Sequence, residues 1–315
     1  MSSAHSRFAP RLALAAAALL LSCSPSLFGQ ASASSMPLDS GFGPLQQVQP
    51  SVPVEQIIKE FTAKESLFNA ALNNYTWTRA VKVQTLDEDG HPNGQYYQVV
   101  DIYYSPTGQR KERVTEAPES TLKDIMMSEK DYSDIEERLP FVLTTEDAPQ
   151  YDFTYLGQEK VDDIDTWVFD VKPKAIQKNK RYFQGRIWVD QKEHQIVVTN
   201  GKNVPDDLRP GHEDLTLPFI TYRQMVDGKY WFPVYTVGEA VLHFQGGHGY
   251  LSQNAHMREV VKYSNYRQYR TDVRVIFNGQ DITHNGDASQ QQPNQAPAAQ
   301  QPNAPATAPK SPPQH

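Results

Sequence analysis

The chain has 315 residues, 38% hydrophobic and 21% charged, with 30 Lys and Arg against 37 Asp and Glu. A net charge of −7 leaves no basic excess to hold phosphates, which argues against a nucleic-acid partner. The single cysteine, Cys23, excludes an intramolecular disulfide framework, a cysteine zinc site and an iron–sulfur cluster.

The chain opens on a targeting segment. Arg7 and Arg11 form a positive n-region, and Leu12 to Leu21 is an unbroken Ala/Leu run. That run is too short to span a bilayer and suits a signal h-region. Export to a cell envelope or extracellular space is therefore expected. Two processing routes fit. Leu20-Leu21-Ser22-Cys23 resembles a bacterial lipobox, in which Cys23 is acylated and leads the mature chain. Alternatively, Ala31-Ser32-Ala33 reads as an A-x-A cleavage site, giving a signal peptide of residues 1–33. Residues 34–50 are expected to be a flexible linker. From about Asn285 only Gln, Pro, Ala, Asn and other small or polar residues occur, so 285–315 is expected to be a disordered tail.

The folded unit is then 51–284, about 230 residues and one domain. Ser51 is placed to cap a helix, with Pro53 in its first turn. Val54, Ile57, Ile58, Phe61, Leu67, Phe68, Ala71 and Leu72 recur at helical spacing, and Asn73-Asn74 ends the helix. The period then changes to two. Strands are predicted over 75–86, 96–104 and 109–116, separated by turn-rich Asp87-Glu88-Asp89-Gly90 and Ser105-Pro106-Thr107-Gly108. Within 120–147, Leu122, Ile125, Met126 and the stretch 132–139 read as helical. Strands then resume at 151–157, 166–172, 182–190, 195–200, 218–226, 229–237, 239–245, 256–269 and 273–277. Many strands joined by tight turns give an α+β, mainly β fold. About ten antiparallel strands form a strongly curved sheet wrapped over helices.

Several hairpins resemble those of LolA-like proteins, a superfamily of periplasmic lipoprotein carriers, their outer-membrane receptors and RseB-type envelope-stress regulators. The resemblance rests on Tyr155 to Lys174, on Gly185-Arg186-Ile187-Trp188-Val189-Asp190, on Asp227-Gly228-Lys229-Tyr230-Trp231-Phe232-Pro233-Val234 and on Tyr263-Ser264-Asn265-Tyr266-Arg267. It covers about 55–280. In the first hairpin turn Asp163 stands where the family often has Gly, and Asp tolerates the left-handed conformation. The resemblance implies a half-barrel whose concave face holds helices over an apolar cavity. It also implies a lipid or lipidated protein as ligand, and an envelope protein as an alternative partner. Phe61, Phe68, Trp77, Trp167, Phe169, Trp188 and Trp231 are the cavity candidates.

Catalytic motifs are absent: there is no G-x-S-x-G, H-E-x-x-H, P-loop or G-x-G-x-x-G. No catalytic residue, metal or cofactor is expected, and the reading is a non-enzymatic binding protein. Weaker features have plainer readings. His243, His248 and His256 flank a glycine-rich hairpin. Asp87, Asp89 and Gly90 echo a calcium loop without its full ligand series. Asp162, Asp163 and Asp165 make an acidic turn. Lys178-Asn179-Lys180-Arg181 is a short basic run of the kind that meets anionic headgroups.

Overall fold

The computed structural model describes residues 35–105, 107, 109–123, 125–138, 141–206, 215–244 and 252–269, and the backbone of 276–277 and 280–281. The segment 1–33, Cys23, His248 and the tail 285–315 lie outside the described residues.

Helix α1 runs Val54–Leu72, with Pro53 rather than Ser51 at its N-cap and Asn73 at its C-cap. Ten strands follow: β1 (Tyr75–Leu86), β2 (Pro92–Tyr104), β3 (Arg110–Glu116), β4 (Tyr151–Val161), β5 (Ile164–Pro173), β6 (Tyr182–Asp190), β7 (Ile196–Val204), β8 (Phe219–Val226), β9 (Tyr230–Phe244) and β10 (Gln253–Gln268). They form one antiparallel sheet in the order β3-β2-β1-β10-β9-β8-β7-β6-β5-β4. The sheet is curved and open, the half-barrel implied by the hairpins. Two meanders, β1–β3 and β4–β10, are joined where β10 returns to pair with β1, from Tyr75 opposite Gln268 to Leu86 opposite His256. Register shifts interrupt β1–β10, β1–β2, β2–β3, β4–β5, β6–β7 and β8–β9. Each such bulge bends its strand and adds twist, which curves the sheet.

The two strands expected over 229–237 and 239–245 are one, because the pairing of β9 with β10 continues past Gly238. Asp227 and Gly228 both take positive φ, the geometry of a tight Asp-Gly hairpin. In the β4–β5 turn the left-handed residue is Asp162 (φ 50), not Asp163. A separate unit after Arg270 contains a short hairpin, β11 (Ile276–Phe277) with β12 (Gln280–Asp281).

Alternation along each strand gives the sheet two buried faces. The inner face carries Val81, Val83, Trp167, Phe169, Val171, Ile187, Val189 and Phe219, packed with Ile57 and Phe61 of α1. The segment between β3 and β4 also covers this face. It is less helical than its sequence suggests: α2 is only Glu129–Ser133, continued by a π-helical turn at Asp134–Arg138. Leu122, Ile125 and Met127 meet the core from extended backbone, while Met126 is 91% exposed. Tertiary contact with the sheet outweighs the weak local helical pattern here.

The outer face carries Val168, Trp188, Val198 and Ile220. It is covered by residues 36–48, which do not form the flexible linker expected of them. Gly43 N donates to Lys160 O (2.8 Å), and Gln46 and Gln158 exchange backbone bonds (2.8 and 2.9 Å) along the edge of β4. Met36 N donates to Asn200 Oδ1 and Asn200 Nδ2 donates to Met36 O, both at 2.8 Å. Phe42 lies edge-on to Trp188 at 5.1 Å. Gly157, at φ +145, admits this strap, since a Cβ there would come within 2.2 Å of Gln46 O. The strap is rich in Gly and Pro, and its Met36, Phe42 and Leu45 cover the apolar outer face while Leu38 and Val48 stay exposed.

A buried ion pair pins α1 to the sheet. Arg223 Nη1 donates to both Glu65 oxygens at 2.9 and 3.1 Å, with side chains 2% and 0% exposed. The Arg223 guanidinium sits over the Phe68 ring at 5.3 Å and its Nη2 donates to Phe141 O. Glu65 also accepts from Ile196 N at 3.4 Å. Burial pushes the Glu65 carboxyl up, while Arg223 and the backbone donors pull it back.

Removing one partner strands the other in a dry site. Arg223→Met or Glu65→Leu alone should cost about 3–5 kcal/mol by urea denaturation, and the double variant should recover most of that loss. Gly157→Ala should detach the strap: chymotrypsin should cut at Phe42 in the variant and spare it in the parent protein.

Candidate functional site

A cleft of about 480 Å³ lies beside the C-terminal turn of α1. Asn69, Leu72 and Asn73 form its helix wall. Trp77, Arg79, Tyr263, Tyr266 and Pro233 form the sheet wall from β1, β10 and β9, and Phe141, Tyr151, Tyr182 and Phe183 close the far side. The local reason for the opening is the end of α1. After Asn73 no helix among the described residues covers the ends of β1 and β10, and the returning segment at 141–151 bridges only part of the gap.

The walls are aromatic and ordered by ring packing. Trp77 stacks on Tyr266 at 6.1 Å, and Phe141 stacks on Phe183 at 4.3 Å. Tyr266 is held by its hydroxyl, which donates to Pro233 O at 2.7 Å. Burial raises the Tyr266 phenol well above its ordinary range, so it remains a neutral donor. Two cations stand at the rim: Arg110 lies over Trp77 at 5.5 Å and pairs with Glu112 at 2.7 Å, and Lys180 lies over Tyr182 at 5.0 Å. At the floor Arg79, 2% exposed, pairs with Glu136 at 2.7 Å and Glu112 at 3.4 Å. Arg181 pairs with Asp134 at 3.5 Å and donates to Thr216 at 2.7 Å. The cleft thus combines apolar ring surface with a polar mouth.

Of the seven aromatic residues expected around a cavity, Trp77 lines this cleft. Phe61, Phe68, Trp167 and Phe169 are on the inner face but fill the core. Phe61 meets Phe153 and Phe169 at 6.0 and 5.9 Å, and Phe68 meets Phe232 at 5.1 Å. The space beneath α1 is therefore closed, and the opening lies beside the helix. Trp188 and Trp231 are on the outer face, under or next to the strap. Strand parity decides this: Trp188 alternates with the inward Ile187 and Val189, and Trp188 Nε1 donates outward to Glu159 at 2.9 Å.

Lys180 and Arg181 of the basic run reach the cleft. Tyr151, Tyr182, Tyr263, Tyr266 and Phe141 were not singled out by the sequence, although Tyr263 and Tyr266 fall within its closing motif. His243 accompanies Asn254 (2.7 Å) and His256 accompanies Glu239 (3.0 Å), as cross-strand partners rather than a joint site. Asp87, Asp89 and His91 are the one acid–imidazole group among the described residues whose ligand atoms lie within 4.8 Å of one another. All three are exposed, and Asp87 Oδ1 accepts from the backbone of Asp89 and His91, which is turn chemistry.

No family model and no curated protein matches the chain. Solved structures do. A DUF1329 family protein from Desulfovibrio piger is 15% identical, with 71% of this chain and 95% of that chain covered and a TM-score of 0.32. A putative outer membrane lipoprotein-sorting protein domain from Vibrio parahaemolyticus is 13% identical, covering 65% and 92% at a TM-score of 0.29. MucB is 12% identical, covering 66% and 92% at 0.23, and it is also matched in its complex with MucA(peri).

Proposed function

We infer that the protein is an exported, non-enzymatic binder that holds a lipid or lipidated protein in the cleft beside α1. The carrying observation is the cleft itself, about 480 Å³ with aromatic walls and two cations at its rim. That volume falls in the ~300–1,000 Å³ range of small-molecule sites. Trp77, Phe141, Phe183 and Tyr266 offer surface to an aliphatic chain, and Arg110 and Lys180 stand where a polar head would emerge. Ten methylenes entering the cleft gain up to about 8 kcal/mol at ~0.8 kcal/mol per buried CH₂, before association costs. Micromolar affinity, about 8 kcal/mol net, therefore needs the polar contacts at the rim as well as the buried chain. Sorting of outer-membrane lipoproteins is the cellular role that fits such a ligand. The other reading is an envelope regulatory or assembly module that binds another protein through the same fold.

An acyl-chain series with one headgroup separates the two. Affinity should rise roughly tenfold for every two methylenes and then level off. Trp77→Ala should weaken binding about tenfold, while Trp231→Phe on the outer face should leave it unchanged. No binding at any chain length would discard the lipid reading in favour of the protein-binding module.

The leader carries its own test. If the lipobox is used, the membrane fraction should contain a chain that starts at acylated Cys23, and Cys23→Ala should release the protein. A mature N-terminus at Ser32 or Ser34, read by intact mass, would show ordinary signal cleavage instead.

A further inference from the structure

We propose that residues 125–138 form a proton-controlled lid, seated while Glu259 carries its proton and released when Glu259 ionises. A small void of about 30 Å³ lies between this segment and the inner face of the sheet. Glu259 of β10, Asp131 of α2 and Asp134 of the π-helical turn all line it, among Val83, Ile135 and Met257. Glu259 is partly covered as a residue, but its Oε1 is sealed from solvent and has no hydrogen-bond partner among the described residues. Asp131 is committed elsewhere. It accepts from Ser128 N and Oγ, both at 2.7 Å, and from Leu215 N at 3.1 Å, so its charge seats the lid.

The surrounding charges favour a neutral Glu259. Asp131 faces it from α2 and Asp134 from the π-helical turn, the latter opposed by Arg181. Tyr263 lies on its own strand, and from β1 Arg79 is paired with Glu112 and Glu136. Asn203 of β7 and Thr216 of the 215–217 stretch add only neutral groups. Burial, reinforced by Asp131, raises the Glu259 carboxyl from 4.5 to about 8. Lifting the lid restores water and the ordinary value. Protonation therefore favours the seated lid. That preference is complete below the ordinary carboxyl range and is lost as pH rises toward and through about 8. The open fraction should grow more than tenfold between pH 6 and pH 8.

The same turn is a wall of the cleft. Asp134 and Ile135 face the void, while Glu136, one residue on, lines the cleft and holds Arg79 at its floor. Phe141 and Val142, just beyond, line the cleft too. A π-helical turn is a strained form of helix that concentrates at functional positions. Release of the lid thus loosens one wall of the cleft. Control of ligand exchange rests on the reading of that cleft as the ligand site; the lid motion itself does not.

Hydrogen exchange of the full chain, without ligand, tests the motion. Peptides spanning 125–138 are compared between the parent protein and Glu259→Gln at equal pH, which cancels the pH dependence of the exchange chemistry. The two should approach each other at pH 4, where the Glu259 carboxyl is protonated with the lid seated or lifted, and the parent should exchange more than tenfold faster at pH 8.5. Equal rates at both pH values would overturn the proposal. Should Glu259→Gln fail to fold, carbon NMR of the Glu259 carboxyl in the parent decides: a midpoint near 8 supports the lid, and one below 6 overturns it. With an acyl probe bound, release should quicken with pH in the parent and stay flat in Glu259→Gln. Failure of that arm alone would count against the cleft reading and leave the lid standing.

Discussion

The inner architecture hangs on one buried ion pair. Glu65 stands on the apolar stripe of α1, and Arg223 stands on the inner face of β8, each almost wholly removed from water. Two buried charges are tolerable only when their geometry is fixed and their other hydrogen bonds are met. Here the pair recruits Phe141 O, Ile196 N and Ile196 O, so one contact sets α1, β7, β8 and the returning segment in register. Phe68 stacks on the guanidinium and leads into Phe232 and Tyr75, which seal the end of the core. The cleft begins where this sealed region stops.

Covering the two faces of the sheet by different means has consequences for function. On the inner face α1 packs its apolar stripe directly against the sheet. The extended strap on the outer face adds backbone bonds to β4 and shields Trp188. An edge strand exposes unpaired backbone groups, and the strap occupies part of that edge. At the opposite edge β3 is exposed along its whole length, and its Arg110, Lys111 and Arg113 make it a poor template for pairing. The proposed site lies on the inner face, at the mouth beside the end of α1.

Around that mouth, polar groups are partnered in pairs rather than spread as one field. Arg79 with Glu136 and Glu112, and Arg181 with Asp134, neutralise each other at the floor and wall. The aromatic rings between them carry the apolar surface. On the proposed lipid reading, the chain would lie on apolar ring surface and the head would meet side chains already ordered by their partners.

The sequence by itself determined most of the strands and their antiparallel order. The alternation in 75–86 and 166–172, the Asp227-Gly228 turn and the stop at Asn73 are local signals, written in adjacent residues. It also located α1 by its stripe, but Glu65, four residues after Phe61, was not singled out. Its partner was not legible, because Arg223 lies 158 residues away and nothing local links them. Nor did local pattern reveal the role of 36–48, which has no helical or alternating pattern of its own and packs only once the outer face of β5, β6 and β8 is assembled beneath it. The same holds for the aromatics. Trp77, Phe169 and Trp188 are alike as residues in strands, and only the side on which α1 lands makes one a cleft wall, one a core filler and one an outer-face anchor. Tertiary structure decided these points because burial is a property of what the whole chain brings to a surface, and a sequence window contains only one of the two surfaces that meet.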